Sequence, residues 1–259
     1  MTPVEHLADT LQGSAALITG AGSGIGRAMA VLFSRRGAKV AVVDRNAEAA
    51  NAVVREIQRE GGSAIPVPLD LADLDGIASA VEEVATRLGA LDVVVNNAGF
   101  SLMTPLDAAD FRESWDQQIA VLLTAQPLVI RAALPFLRRS AHPRILNIAS
   151  TEGLGATARL SAYSAAKAGV IGLTRSLAVE LGPEGITVNC ICPGPVETGL
   201  TQDIPDQDKA RYANRRTALR RYGRPEEVAH VALSLCVPAA SFITGAVVPV
   251  DGGLMARNA

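Results

Sequence analysis

The sequence is short of aromatic residues, at 3%, and holds only three cysteines and three histidines among 259 residues. Cys190 and Cys192 lie two apart in the strand-like run ITVNCICPG, whose side chains alternate between two faces. No disulfide is expected across that spacing, and no histidine cluster offers a metal site. The three cysteines, Cys236 included, read as small buried hydrophobes. Neither charge dominates: 24 Lys and Arg stand against 26 Asp and Glu, for a net charge of -2. With no basic stripe, nucleic acid is not an expected partner, and with no polybasic run, neither is a membrane surface. No apolar run reaches about 18 residues, so no transmembrane helix is expected. The first residues, MTPVEHLADTLQGS, lack the positive start and apolar centre of a secretion signal. These absences leave a cytoplasmic protein with a small-molecule substrate as the expectation.

Apolar residues are plentiful, at 49%, and they fall in a regular order. Short apolar runs at 15–19, 39–44, 64–70, 91–99, 144–150, 186–193 and 245–253 read as strands. Helical periodicity fills 26–37, 48–62, 74–89, 111–139, 161–182 and 225–236. Pro127 and Pro135 should kink the fourth of these. Residues 195–222 read as polar and irregular. Near-continuous apolar strands alternating with helices imply a parallel sheet covered on both faces. Right-handed crossovers then give a doubly wound, seven-stranded α/β sheet, one domain spanning 1–259 with a lid at about 195–222.

The first strand runs into ITGAGSGIGRAMA, with Thr19-Gly20-x-x-x-Gly24-x-Gly26. The G-x-G-x-x-G fingerprint does not fit. The physics is similar: glycines allow positive φ and close backbone approach, and a helix N-terminus attracts a pyrophosphate. A ligand-free Gly-rich turn is the plainer alternative. Asp44 ends the second strand, 20 residues after Gly24, where a carboxylate accepts from both adenosine ribose hydroxyls and repels a 2′-phosphate. NAD(H) is therefore expected over NADP(H), with the adjacent Arg45 partly offsetting the repulsion. Asp70, with the amide of Leu71, is placed to meet the adenine at the end of strand three. Asn96, Asn97, Ala98 and Gly99 end strand four at the same crevice.

Tyr163 and Lys167, four apart in SAYSAAKAG, share a helix face, and alone they read as a solvated surface. Ser150 at the end of strand five changes that reading. Moving a hydride to or from a carbonyl carbon requires moving a proton at its oxygen. A phenol near pKa 10 is a poor base, and a neighbouring ammonium lowers that pKa. Ser150 then orients and stabilises the substrate oxygen, Tyr163 transfers the proton, and Lys167 tunes Tyr163 and binds the nicotinamide ribose.

Together with Pro193-Gly194 and the C-terminal runs GRPEEVA, FITG and VDGG, these motifs resemble the short-chain dehydrogenase/reductase family from about residue 11 to 253. The resemblance implies a Rossmann fold and a cofactor site built from Gly20, Ser23, Gly24, Ile25, Gly26, Asp44, Arg45, Asp70, Leu71, Asn97, Ala98, Gly99, Tyr163, Lys167, Pro193 and Gly194. It also implies that Thr198 meets the nicotinamide carboxamide, with the backbone of Val196. A homotetramer through helices 111–139 and 161–182 is expected by the same resemblance. One position departs from it. Many members carry an asparagine that holds a water behind the lysine, where this chain has Leu122 in WDQQIAVLLTAQ. Gln118, one turn earlier, is a candidate to hold the relay instead.

Phe100, Leu102, Ser150, Glu152, Tyr163 and Pro195 are expected around the substrate, with Ser101, Leu154 and residues of the lid. Lys209, Arg211, Arg215, Arg216, Arg220, Arg221 and Arg224 form a solvated face or a basic lid for an anionic substrate. Glu152 argues instead for a polar or cationic group. The leading function is an NAD-dependent oxidoreductase interconverting a secondary alcohol and a ketone. The alternatives are an NADPH-dependent 3-oxoacyl reductase, a nucleotide-binding regulatory protein, and an isomerase or lyase on the same fold.

Overall fold

The computed structural model describes residues 8–257. The N-terminal part of the expected signal-free stretch, residues 1–7, and the last two positions of the expected domain lie outside the described residues. Seven strands form one sheet in the order β3-β2-β1-β4-β5-β6-β7. They are β1 (Ala15–Thr19), β2 (Lys39–Asp44), β3 (Ser63–Pro68), β4 (Val93–Asn96), β5 (Arg144–Ile148), β6 (Thr187–Pro193) and β7 (Val247–Val250). Every pair is parallel. β1, β4, β5 and β6 are buried along their whole length, as strands covered by helices on both faces must be.

One face carries α1 (Gly24–Arg35), α2 (Ala47–Arg59) and, numbered below, the helix Pro225–Cys236. The other carries α3 (Ile77–Leu88), α4 (Phe111–Ile119), α5 (Ala125–Leu137) and α6 (Ser161–Leu181). α7 (Asp206–Arg216) and α8 (Pro225–Cys236) follow. The chain order reverses direction between β1 and β4, which opens a crevice at the carboxyl ends of those strands.

Residues 195–222 are not wholly irregular, because α7 runs through them with acids in its first turn and arginines in its last, matching the helix dipole. The long helix read over 111–139 with kinking prolines is continuous over 111–137. Pro127 has no N–H to give the carbonyl of Leu123, and the chain widens just upstream into one π turn, Ala120–Thr124. Pro135 is carried inside α5. That continuous stretch, Phe111–Leu137, is long and apolar enough to cross a membrane by length and composition alone. Its inward stripe, Leu122, Ala125, Val129, Ala133 and Leu137, is buried on the sheet.

Candidate active site

The loop after β1 is welded to the end of β4. Thr19 Oγ1 accepts the amides of Asn97 and Ala98 at 2.9 and 3.0 Å. Asn97 Nδ2 donates to the carbonyls of Thr19 and Gly20. This close fit explains two glycines. A Cβ on Gly20, at φ +62°, would stand 2.6 Å from Ala98 Cα, and one on Gly26 would strike the Gly20 carbonyl. Ser23 precedes α1 without capping it, and the first turn holds no acid. No side chain of the chain's own caps the amides of that turn, which suits a pyrophosphate. Thr198, whose Cβ stands 3.4 Å from a Cβ built on Gly24, closes the loop from the opposite side. Ile25 packs into the core and Ser23 is exposed, so the loop offers backbone.

Asp44 ends β2 with Oδ2 accepting the Gly22 amide at 2.9 Å and Oδ1 accepting that of Asn46 at 2.9 Å. The carboxylate is thereby fixed beside the glycine loop, with acceptor capacity left for hydroxyls. Arg45 beside it is exposed. Strand three stops at Pro68, so Asp70 does not end it; Asp70 lies exposed in a turn, accepting the Ala72 amide, and Leu71 is buried in the core. These residues fit the ribose and phosphates of a dinucleotide.

Across the crevice, β5 ends at Ile148, and Ser150 follows as the cap of a short turn, its Oγ accepting the Glu152 amide at 3.1 Å. Tyr163 on α6 shares a hydrogen bond with Ser150. Lys167 Nζ is buried, donates to the Ile148 carbonyl at 2.8 Å and lies 5.6 Å from the centre of the Tyr163 ring. The three residues named from the sequence therefore meet at one strand end. Their electrostatics differ from expectation. The ammonium lies over the ring. Burial raises the Tyr163 pKa, which the Ser150 hydrogen bond opposes and the charge of Glu152 reinforces. Burial also lowers Lys167 to about 8. Cys190 and Cys192, free and buried, share a hydrogen bond beside it.

Leu122 is fully buried, and its Cδ2 and Lys167 Nζ stand 3.1 and 3.7 Å from a Cβ built on Gly99. The apolar side chain thus sits where the sequence placed it, beside the lysine. Gln118 does not serve there. Its Oε1 accepts the Leu102 amide at 3.1 Å and its Nε2 lies within reach of Ser114, so it holds the substrate-side loop. The residue that sequence reading missed is Gln126. Its Nε2 donates to the Leu122 carbonyl at 2.9 Å, and its buried Oε1 has no protein partner. A polar residue at a core position of an apolar helix was the available signal.

On the substrate side, Leu102, Leu154 and Tyr212 are exposed, Pro195 is half-buried and accepts the Gly223 amide, and Phe100 turns partly into the core. Gly194 and Pro193 are pinned beside β7, where the Gly194 amide donates to Val250. The Val196 carbonyl accepts from Thr201. Several lid cations are already engaged: Lys209 with Glu197 at 2.8 Å, Arg211 with Asp208 at 2.8 Å, and Arg221 with Glu227 at 2.6 Å. A wholly basic lid is therefore not what α7 presents.

The enoyl-(acyl carrier protein) reductase family model matches residues 20–255. The chain is 39% identical over 249 residues to a 3-oxoacyl-[acyl-carrier-protein] reductase of Thermotoga maritima, covering 95% of this chain and 99% of the relative. It is 35% identical to the 7alpha-hydroxysteroid dehydrogenase of Escherichia coli K12 over 245 residues, 94% of each. A short-chain type dehydrogenase/reductase from Mycobacterium marinum superposes with a TM-score of 0.90 at 32% identity, over 96% of this chain and 98% of that one. With a seven-stranded Rossmann-like sheet and relatives that match it nearly end to end, the chain belongs to the short-chain dehydrogenase/reductase family.

Proposed function

We propose that this protein is an NAD(H)-dependent oxidoreductase that interconverts a secondary alcohol and a ketone. The observation that carries the reading is the meeting of Ser150, Tyr163 and Lys167 at the end of β5, across the crevice from Asp44 and the glycine loop. The nicotinamide cofactor supplies a hydride acceptor or donor when bound. Gly20, Gly24 and Gly26 would hold its phosphates, Asp44 its ribose, Thr198 its carboxamide, and Asn97, Gly99, Gly194 and Val196 the walls around it. Ser150 Oγ and the Tyr163 hydroxyl grip the substrate oxygen. In oxidation, the carbinol C–H electrons leave as hydride and the hydroxyl proton passes to Tyr163; reduction reverses both. With its pKa raised by burial, Tyr163 stands protonated at neutral pH, which suits it to donate in the reducing direction. Lys167 holds a positive charge behind the ring.

Tyr163→Phe should abolish turnover of secondary alcohols while NADH still binds, as read by nucleotide fluorescence. Retained turnover would remove Tyr163 from the chemistry. An NADPH-dependent 3-oxoacyl reductase is the second reading, supported by the name of the Thermotoga relative and opposed by the fixed Asp44 carboxylate. We further infer a homotetramer through the helical stretches 111–137 and 161–181. The first leaves Leu128, Leu134 and Phe136 half-buried, and Val179 on the second is 80% exposed. A cytoplasmic location is supported by the three free thiols.

A further inference from the structure

We propose that Glu152 reads the substrate, accepting a hydrogen bond from a hydroxyl or ammonium group carried next to the reacting carbinol on an otherwise apolar molecule. The inference rests on the dehydrogenase reading above and names the substrate class of that same site.

Glu152 is tied to both groups that take the reacting oxygen. Its amide donates to Ser150 Oγ at 3.1 Å. Its Oε2 lies 3.5 Å from the hydroxyl of Ser164, the neighbour of Tyr163, and its Oε1 accepts from Thr157 Oγ1 at 2.8 Å. The carboxylate is thus positioned by hydroxyls, and each oxygen keeps room for another donor. Among the described residues no lysine, arginine or histidine forms an ion pair with it. A half-buried carboxylate without a counter-ion bears a desolvation cost that a ligand donor offsets. Its charge is felt at the hydroxyl of Tyr163 on one side and at that of Tyr212, on α7, on the other.

Exposed apolar side chains lie on the same side of the molecule. Leu102, Leu154, Tyr212 and Met255 are each 38–39% exposed, and Met255 reaches over Gly155 just beyond the Glu152 turn. Arg216 is felt only at Tyr212, one turn along α7. An anion beside the carbinol would meet Glu152 first and be repelled, whereas a hydroxyl would be held and an ammonium held more strongly.

A matched panel tests this on the full chain with NAD: cyclohexanol, cis-cyclohexane-1,2-diol, 2-aminocyclohexanol and 2-hydroxycyclohexanecarboxylate. The diol and the amino alcohol should exceed cyclohexanol in kcat/KM by about tenfold or more, and the hydroxy acid should fall below it. Glu152→Ala should level the four. Glu152→Gln, which keeps an acceptor without the charge, should keep the diol preference and lose the ammonium preference. Calorimetry of 2-hydroxycyclohexanone with the NADH complex should show the same loss of affinity in Glu152→Ala. The hydroxy acid as best substrate, or the same ratios in Glu152→Ala, overturns the role of Glu152 and leaves the dehydrogenase standing. No turnover of any alcohol with NAD or NADP overturns both.

Discussion

Gln126 Nε2 donates to the carbonyl oxygen of Leu122 at 2.9 Å, four residues back and inside the π turn of a buried helix. The side chain thus holds a backbone acceptor at the point where the helix widens beside Lys167. Gln126→Leu removes that donor and leaves the carbonyl unpaired in the core. Unfolding by urea should show a loss of about 1–3 kcal/mol. An unchanged midpoint and slope would mean that the π turn satisfies the carbonyl without Gln126.

Leu122 and Lys167 approach the same point beside Gly99, so an amide at 122 would stand next to the ammonium. In Leu122→Asn the new carbonyl accepts from Lys167 and favours its charged form. The pKa of Lys167 should rise from about 8 toward its ordinary 10.5. The alkaline limb of the single-turnover rate should move to higher pH with it. A limb that stays in place would separate Leu122 from the proton path.

Burial of Lys167 also predicts how stability depends on pH. The folded pKa, about 8, lies below the unfolded value near 10.5. Between these values the unfolded chain binds more protons, so stability rises with pH across that window. Below about pH 8 the cost of the buried ammonium is present in full, at most about 3 kcal/mol. Lys167→Met should therefore gain stability over the parent at pH 7, and the gain should shrink by pH 10. A difference that is flat with pH would show the ammonium to be solvated in the fold.

Asp44 holds its carboxylate on the Gly22 and Asn46 amides, where a 2′-phosphate would approach it. Asp44→Ala should lower the NAD to NADP ratio of kcat/KM by at least about tenfold, through relief of like-charge repulsion. An unchanged ratio would locate cofactor choice elsewhere.

Gly26 has no room for a Cβ, which would meet the Gly20 carbonyl and stand 2.5 Å from Asn97 Nδ2. Gly26→Ala should part the β1 loop from β4, costing about 1–3 kcal/mol and abolishing NADH binding in a fluorescence titration. Tight binding in that variant would show that the weld is not needed for the cofactor.

The alternation of apolar strands and helices, the glycine spacing and the Ser150, Tyr163 and Lys167 pattern were legible in the sequence alone. Each depends on local periodicity or on residue type at fixed spacing, which a linear reading carries. Other features depend on partners distant in the chain. Pro127 signalled a kink, but not the π turn that the chain forms just upstream of it. Gln118 matched a relay residue by helical phase, yet the loop at Leu102 took its amide. The Tyr163 pKa was expected to fall beside an ammonium. Tertiary burial raises it instead, because desolvation outweighs the hydrogen bond with Ser150. The sequence by itself determined which groups are present and, Asp70 apart, near which strand ends they fall. Only the tertiary structure decided which hydrogen bonds they spend on one another and how much water they keep.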